Sequence, residues 1–394
     1  MTVNRLALLV GFAWGCGSDA ASMPRDAPPG DAPIDTAAPI DAAPRFTLEA
    51  TDLDPQTGSF TDAQLAGAFG CTGSNASPAL RWSNPPVGTK GFVLTLYDPD
   101  APTGSGFWHW TLFNIPATTT SLVANAAAAF ATLPPGSAQG YVDFGRPGYG
   151  GPCPPLNDPV HRYTFLLTAV SVSQLPGVSE NSPGALVAGV AHSVSIGTAV
   201  LRVPFGRSPG NLKHPETPEN FTLSSTDVSA SAPFTAPFLL DSFGCTGNNF
   251  SPQLQWSGAP ANTLSYALTL YDPDASTPYD PDVATGSGFW HWLAFDIQPN
   301  VTTLAQRASA PDGNPALSLG GGVQAKNDLG TNQYAGPCPP VGDTPHRYVF
   351  TVYALPVAHL GLTQEDTGGR LGGSLRAMAT GKASFTVPFA RTAP

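Results

Sequence analysis

The chain is written twice. The segment LTLYDPDA at 94–101 recurs unchanged at 268–275, and TGSGFWHW at 103–110 recurs unchanged at 285–292. GPCPP at 151–155 returns at 336–340, and HRY at 161–163 returns at 346–348. Burial alone tolerates exchange among apolar residues of similar volume, so it has little reason to hold Asp, His, Gly and Pro in place. The repeat therefore predicts two domains of one kind, each carrying a site of the same kind. Cys245 follows Cys71 by 174 residues, His291 follows His109 by 182, and His346 follows His161 by 185. A period close to a whole domain excludes a short-unit solenoid. The offset grows by eight at 276–284 and by three more before the second GPCPP, so the scaffold is shared and the loops vary.

Charged residues make up 11% of the 394 and the net charge is −11. Lys and Arg are sparse and never clustered, which argues against nucleic acid or an anionic membrane as an electrostatic partner. The 42 glycines and 43 prolines punctuate the chain with turns, which favours a β-rich fold.

Residues 1–16 carry one Arg, a short apolar run at 6–13 and Gly15-Cys16. This is the pattern of a lipoprotein signal with Cys16 as the lipidated residue, although Trp14 stands where a small residue is usual. An ordinary secretory signal is the alternative. The apolar run is far shorter than the roughly 20 residues that span a bilayer, so the membrane is expected to be reached only through a lipid anchor. Residues 17–44 repeat Asp, Ala and Pro without an apolar face and read as an extended tether. The expectation is an exported protein, anchored in the periplasm or at the cell surface or else secreted.

Cys16 aside, each repeat keeps two cysteines, Cys71 with Cys153 and Cys245 with Cys338. An exported compartment permits disulfides. Four cysteines allow three connectivities, and the repeat favours pairing within each domain.

Residues 92–97 and 266–271 read as short buried strands ended by Asp-Pro, which places Asp98 and Asp272 at the strand mouths. Residues 108–115 read as a strand whose period of two puts His109, Thr111 and Phe113 on one face and Trp108, Trp110 and Leu112 on the other. Residues 161–170 read as a third, with His161, Tyr163 and Phe165 alternating against Arg162 and Thr164. Short helices are expected at 185–192 and 371–380, before last strands at 199–205 and 383–389. Glycines weaken both helices.

Each repeat thus offers one Asp, two His and a GPCPP loop near strand ends. Histidine titrates near neutrality and can donate to a phosphate or carboxylate. A bare carboxylate repels that anion, so Asp98 either orients a histidine or accepts from a cationic group on the same ligand. The bland alternative for each histidine is a satisfied core residue.

SPALRW (77–82), YDPDAP (97–102), GFWHW (106–110) leading to FNIP (113–116), and YGGPCPP (149–155) with HRY (161–163) closely resemble the phosphatidylethanolamine-binding protein family. The bacterial, Raf-kinase-inhibitor-like branch is the nearest. The second copy matches through SPQLQW (251–256), YDPD (271–274), WHW (290–292) and residues 336–348. The resemblance implies a mainly β fold of two tandem domains, 45–206 and 219–390, joined by a linker at 207–218. Each would have a central antiparallel sheet, a smaller second sheet and few short helices. It implies an anion pocket at one end of the sheet, built from Asp98, His109 and His161 and from Asp272, His291 and His346. The pocket's backbone turn falls on Gly151-Pro152 and Gly336-Pro337, with Tyr163 and Tyr348 supporting the second histidine. The longer loop at 276–284 predicts a different rim for the second pocket. The C-terminal helix that regulates access in eukaryotic members has no recognisable counterpart, so kinase inhibition and phospholipid specificity do not carry over.

The expected function is a non-enzymatic binder of a small phosphorylated or carboxylated ligand or head group, with a protein partner unidentified and no cofactor. Two alternatives stand beside it. One is a secreted protease or kinase inhibitor. The other is an enzyme using the same pocket, with two His and a carboxylate on a metal or Cys153 as a thiol nucleophile. Against a metal, none of these ligands shows a spacing such as His-x-Glu or His-x-x-x-His. Against the thiol, Cys71 is a plausible disulfide partner.

Overall fold

A computed structural model describes residues 44–391 apart from 129–132, 157, 208–217, 219, 276, 278–285 and 310–318. The signal with Cys16, nearly all of the Asp/Ala/Pro tether, most of the linker, and all but Thr277 of the 276–284 loop lie outside the described residues.

The central strand of the first domain, β3 (Gly91–Asp98), is buried at all eight positions. Its Val, Leu, Phe and Tyr run has no polar face, so it must be covered on both sides. It pairs antiparallel with β4 (Phe107–Pro116) and with β9 (His161–Val170). Strand β10 (Ser195–Phe205) extends the sheet beyond β9, and β6 (Ala138–Gln139), followed by the separate short antiparallel pair β7 (Tyr141–Val142) and β8 (Arg146–Pro147), extends it beyond β4. One face packs on a three-stranded sheet of β1 (Thr47–Ala50), β2 (Leu80–Ser83) and β5 (Ser121–Leu122). Leu80 and Trp82 there meet Leu94, Leu96, Trp110 and Phe165. On the other face helix α1 (Gly184–Ser193) covers Val93, Phe113 and Val170 with Val187 and Ala191. The result is three layers around two apolar seams.

The second domain repeats this plan. Its large sheet runs β16 (Val323–Gln324), β14 (Phe289–Ile297), β13 (Ser265–Asp272), β17 (His346–Leu355) and β18 (Gly381–Phe389). Strands β11 (Thr222–Ser224), β12 (Leu254–Ser257) and β15 (Thr303–Leu304) form the small sheet. Helix α2 (Gly368–Met378) takes the place of α1. The fold is mainly β, with two α-helices among the described residues, as the repeat and its turn residues predicted.

The strict alternation expected for 108–115 is broken. Along β3, Leu96 faces Trp110 while the next residue, Tyr97, faces Trp108. His109 is therefore the extra residue of a β-bulge, which turns the side chains on either side of it to different faces. Trp110 packs between the two sheets, whereas Trp108 packs beside α1 with Tyr97 and Ala185. His291 has the same bulge, between the pairs Leu270–Trp292 and Tyr271–Trp290. A second bulge, between the Phe92–Ile115 and Leu94–Leu112 pairs, holds Asn114 at a φ of 57°, so that Phe113 lies under α1 while Ile115, two residues on, packs between the sheets. Period two cannot anticipate an inserted residue, because the bulge is set by pairing with a distant strand.

Candidate functional site

The first pocket forms where β3 ends, β9 begins and β4 bulges. Asp98, the last residue of β3, is 2% exposed and accepts three hydrogen bonds. The Asp100 N–H reaches Oδ1 at 3.0 Å, His161 Nδ1 lies 2.6 Å from Oδ2, and the Tyr163 hydroxyl donates to the same carboxylate. Of the two roles open to Asp98, the geometry shows the orienting one. The other ring nitrogen of His161 lies 3.2 Å from Asp158 Oδ2. Burial works against a charged His161 ring, but the hydrogen bond and attraction to Asp98, helped by Asp158, outweigh it and raise its pKa above 6.5. His161 is thus clamped between two carboxylates that favour its charged form.

His109 is its opposite. Its Nδ1 lies 2.8 Å from the carbonyl oxygen of Gly150. A carbonyl only accepts, so the proton sits on Nδ1 and Nε2 is left to the pocket. Burial is the largest influence on this ring and drives its pKa below 6.5, against the pull of Asp98. Two histidines in one pocket are therefore shifted in opposite directions by their surroundings. Phe107, Phe144 and Tyr163 pack around His109, with ring centroids 5.1, 5.5 and 5.2 Å away.

The bulge that presents His109 is pinned from behind. The Trp108 N–H donates to Asp143 Oδ2 at 2.8 Å, and the Asp143 N–H returns a bond to the Trp108 carbonyl at 3.1 Å. Burial pushes the Asp143 carboxyl up to about 6, against its bonds from Thr367 and Trp108.

The second pocket reproduces the arrangement. His346 Nδ1 lies 2.8 Å from Asp272 Oδ2 and its Nε2 lies 3.4 Å from Asp343 Oδ2. His291 Nδ1 faces the Ala335 carbonyl at 2.8 Å. The pKa of His346 is again raised, burial being outweighed by Asp272 and Asp343, and that of His291 is again lowered by burial. Asp328 takes the Trp290 N–H at 2.8 Å.

Asp98, His109, His161 and Tyr163 line a cavity of about 650 Å³. Asp272, His291, Gly336, His346 and Tyr348 line one of about 390 Å³. Gly151, Pro152 and Pro337 are not among the lining residues. The Gly151 N–H donates to Asn75 Oδ1 at 2.8 Å, and a Cβ there would overlap the backbone at Gln64 and Ala66. The Pro152 and Pro337 carbonyls accept from Ala66 and Leu240. These residues seat the turn, and the following Cys153-Pro154-Pro155 and Cys338-Pro339-Pro340 face the cavities. Both cysteines are in disulfides, Cys71–Cys153 and Cys245–Cys338, so neither is a free thiol nucleophile. Among the described residues no group of three or more His, Cys, Asp or Glu is arranged to hold a metal ion.

Several contributors are absent from the motif reading. Asn75 and Asn249, at φ 55° and 54°, clamp the turn in each domain. Arg207 Nε donates to the Pro154 carbonyl and Arg391 NH2 to that of Gly244. Asp143 and Asp328 hold the bulges. All are duplicated in the two copies, so the repeat itself carried the signal.

The opposite domain supplies one wall of each pocket, and no motif points to this. From Pro44 onward the described residues of both domains belong to one compact unit. Helix α2 of the second domain lines the first pocket, and α1 of the first domain lines the second. The Trp290 indole donates to Ser105 Oγ at 2.8 Å, and the Tyr141 hydroxyl donates to the Glu365 carbonyl at 2.7 Å. Gly372 of α2 lies so close to the first domain that a Cβ would overlap the Thr103 carbonyl.

Two tandem sheet-and-helix domains, each with a buried Asp–His pair and a bulge-borne second histidine, define a class of small-pocket β proteins. The model of the phosphatidylethanolamine-binding protein family matches residues 55–206 and 224–390, and the chain belongs to that family. It is 46% identical over 162 residues to the UPF0098 protein YbcL of Escherichia coli, covering 41% of this chain and 88% of that one. It is 32% identical over 215 residues to LppC of Mycobacterium tuberculosis, whose name marks it as a candidate lipoprotein, covering 51% and 93%. The crystal structure of E. coli YbcL, described as a member of the mammalian PEBP family, aligns with 41% of this chain and 98% of its own. The identity there is 43% and the TM-score 0.39.

Proposed function

We propose that the chain is a non-enzymatic binding protein with two pockets for a small phosphorylated or carboxylated ligand. The observation that carries this reading, found twice, is one histidine held between two carboxylates beside another whose Nδ1 faces a backbone carbonyl. Neutral His109 offers Nε2 as an acceptor, while charged His161 offers an N–H whose 3.2 Å bond to Asp158 is the longer of its two. A phosphate monoester holding one proton can donate to the first and accept from the second. Phe107 and Phe144 then flank whatever the phosphate is attached to. His291 and His346 offer the same pair of groups in the second domain.

Isothermal titration of the mature chain with inorganic phosphate and phosphoethanolamine tests the reading. Two equivalents per chain are expected, and the combined change His109→Ala with His161→Ala removes one of them. Unaltered binding in that variant, with its fold verified by circular dichroism, overturns the proposal, and a ratio of one in the intact chain overturns the two-site form.

The signal pattern at 1–16, the disulfides and the similarity to LppC support export and tethering through Cys16. Metabolic labelling with a fatty acid, lost in Cys16→Ser, is the expected result.

A further inference from the structure

The two pockets share their floor but not their far wall. Gly184 of α1 abuts the Trp108 ring as Gly368 of α2 abuts that of Trp290, so the helices correspond residue by residue at a spacing of 184. Leu186 and Val190 in α1 therefore correspond to Arg370 and Ser374 in α2. Each pair is spaced i, i+4 and lies on one helix face. Because each helix packs on its own sheet and also lines the other domain's pocket, Arg370 and Ser374 face the first pocket while Leu186 and Val190 face the second. The floors, with one Asp, two His and a rim arginine each, do not distinguish the pockets.

Arg370 is held in place. Its guanidinium lies over the Phe69 ring, 5.3 Å from the centroid, and Nε pairs with Asp366 at 3.2 Å. Asp366 offsets its charge, but a guanidinium carries five N–H donors and this contact engages one. Recognition there rests on directed hydrogen bonds, for which a planar fork matches carboxylate and phosphate.

Building on the anion-pocket reading, we propose that the pockets select different ligands. The first takes a phosphorylated molecule bearing a second acidic group that reaches Arg370 and Ser374. The second takes a phosphorylated molecule whose remainder is apolar and packs on Leu186 and Val190. The selectivity of each domain is thus written on the helix of the other.

Phosphoglycolate and propyl phosphate are matched probes, both phosphate monoesters of similar length, one ending in a carboxylate and one in a methyl group. Isothermal titration of the full chain is expected to show one site preferring phosphoglycolate and one preferring propyl phosphate, each by roughly 10-fold. Arg370→Leu abolishes the first preference, and Arg370→Gln, which keeps a polar side chain, also weakens it. Leu186→Arg brings phosphoglycolate binding to the second site and weakens propyl phosphate there. Both positions are partly exposed, and thermal melts confirm that each variant folds. Sites that bind both esters within 2-fold of each other, or a phosphoglycolate preference that survives Arg370→Leu, overturn the selectivity while leaving the anion pockets standing. If inorganic phosphate and both esters fail to bind, the underlying reading falls and this one with it.

Discussion

Asp328 lies within Coulombic reach of Asp143 across the interface between the domains. Each of these buried carboxylates holds the backbone N–H of the tryptophan that precedes a pocket histidine. Burial, and secondarily the charge of Asp143, push the Asp328 carboxyl up to about 8.

Stability should therefore fall with rising pH in a way that traces to this pair. Both folded-state pKa values lie above the unfolded 3.8. The contribution is fully present below about pH 4 and is lost as pH rises through about 6 for Asp143 and about 8 for Asp328. Asp328→Asn keeps an oxygen for the Trp290 N–H and removes the charge. It is expected to stabilise the chain by roughly 2–5 kcal/mol at pH 9 and to change little at pH 4. Thermal melts across that range check this, and parallel curves for the two chains would refute it.

Asp98→Asn should release His161. The pKa of His161 is raised in the fold, so the stability it brings is fully present below pH 6.5 and is lost as pH rises through the folded value. The variant is expected to lower that pKa and to cost roughly 3 kcal/mol near pH 6, with a smaller cost at pH 9. Proton NMR titration of the imidazole and melts at both pH values are the measurements.

Adjacent glycines in α2 should respond in opposite ways. A Cβ at Gly372 would overlap the Thr103 backbone, whereas one at Gly373 meets only the Thr103 methyl group at 3.8 Å. Gly372→Ala is expected to cost roughly 1–3 kcal/mol as the domains are pushed apart. Gly373→Ala should be stabilising by about 0.5–1 kcal/mol through helix propensity. Equal effects in denaturant unfolding would contradict the close approach.

Removing either disulfide should destabilise its domain. Cys71 and Cys153 close a loop of 82 residues, for which chain entropy predicts roughly 4 kcal/mol. Melts of the Cys71→Ser, Cys153→Ser chain, and a thiol count on the denatured native protein showing no more than one free thiol, test this together.

Much of the architecture could be read without coordinates because it rests on local rules applied twice. The strand at 161–170 has the predicted ends and faces, since Tyr163, Phe165 and Leu167 alternate into the core without interruption. The strand at 108–115 is present, yet its faces depart from period two around His109. The residue that breaks the alternation is placed by pairing to β3 and by Asp143, 34 positions away.

By itself the sequence determined the duplication, the β class and the Asp, His and His carried by each domain. These depend on residue identity and short-range pattern. Only the tertiary structure decided that the two histidines of a pocket shift in opposite directions, because a ring's pKa follows burial and the partner each nitrogen meets. It alone decided that each pocket is finished by the other domain's helix. That arrangement depends on close approach at glycines such as Gly372, and close approach is a property of two surfaces brought together.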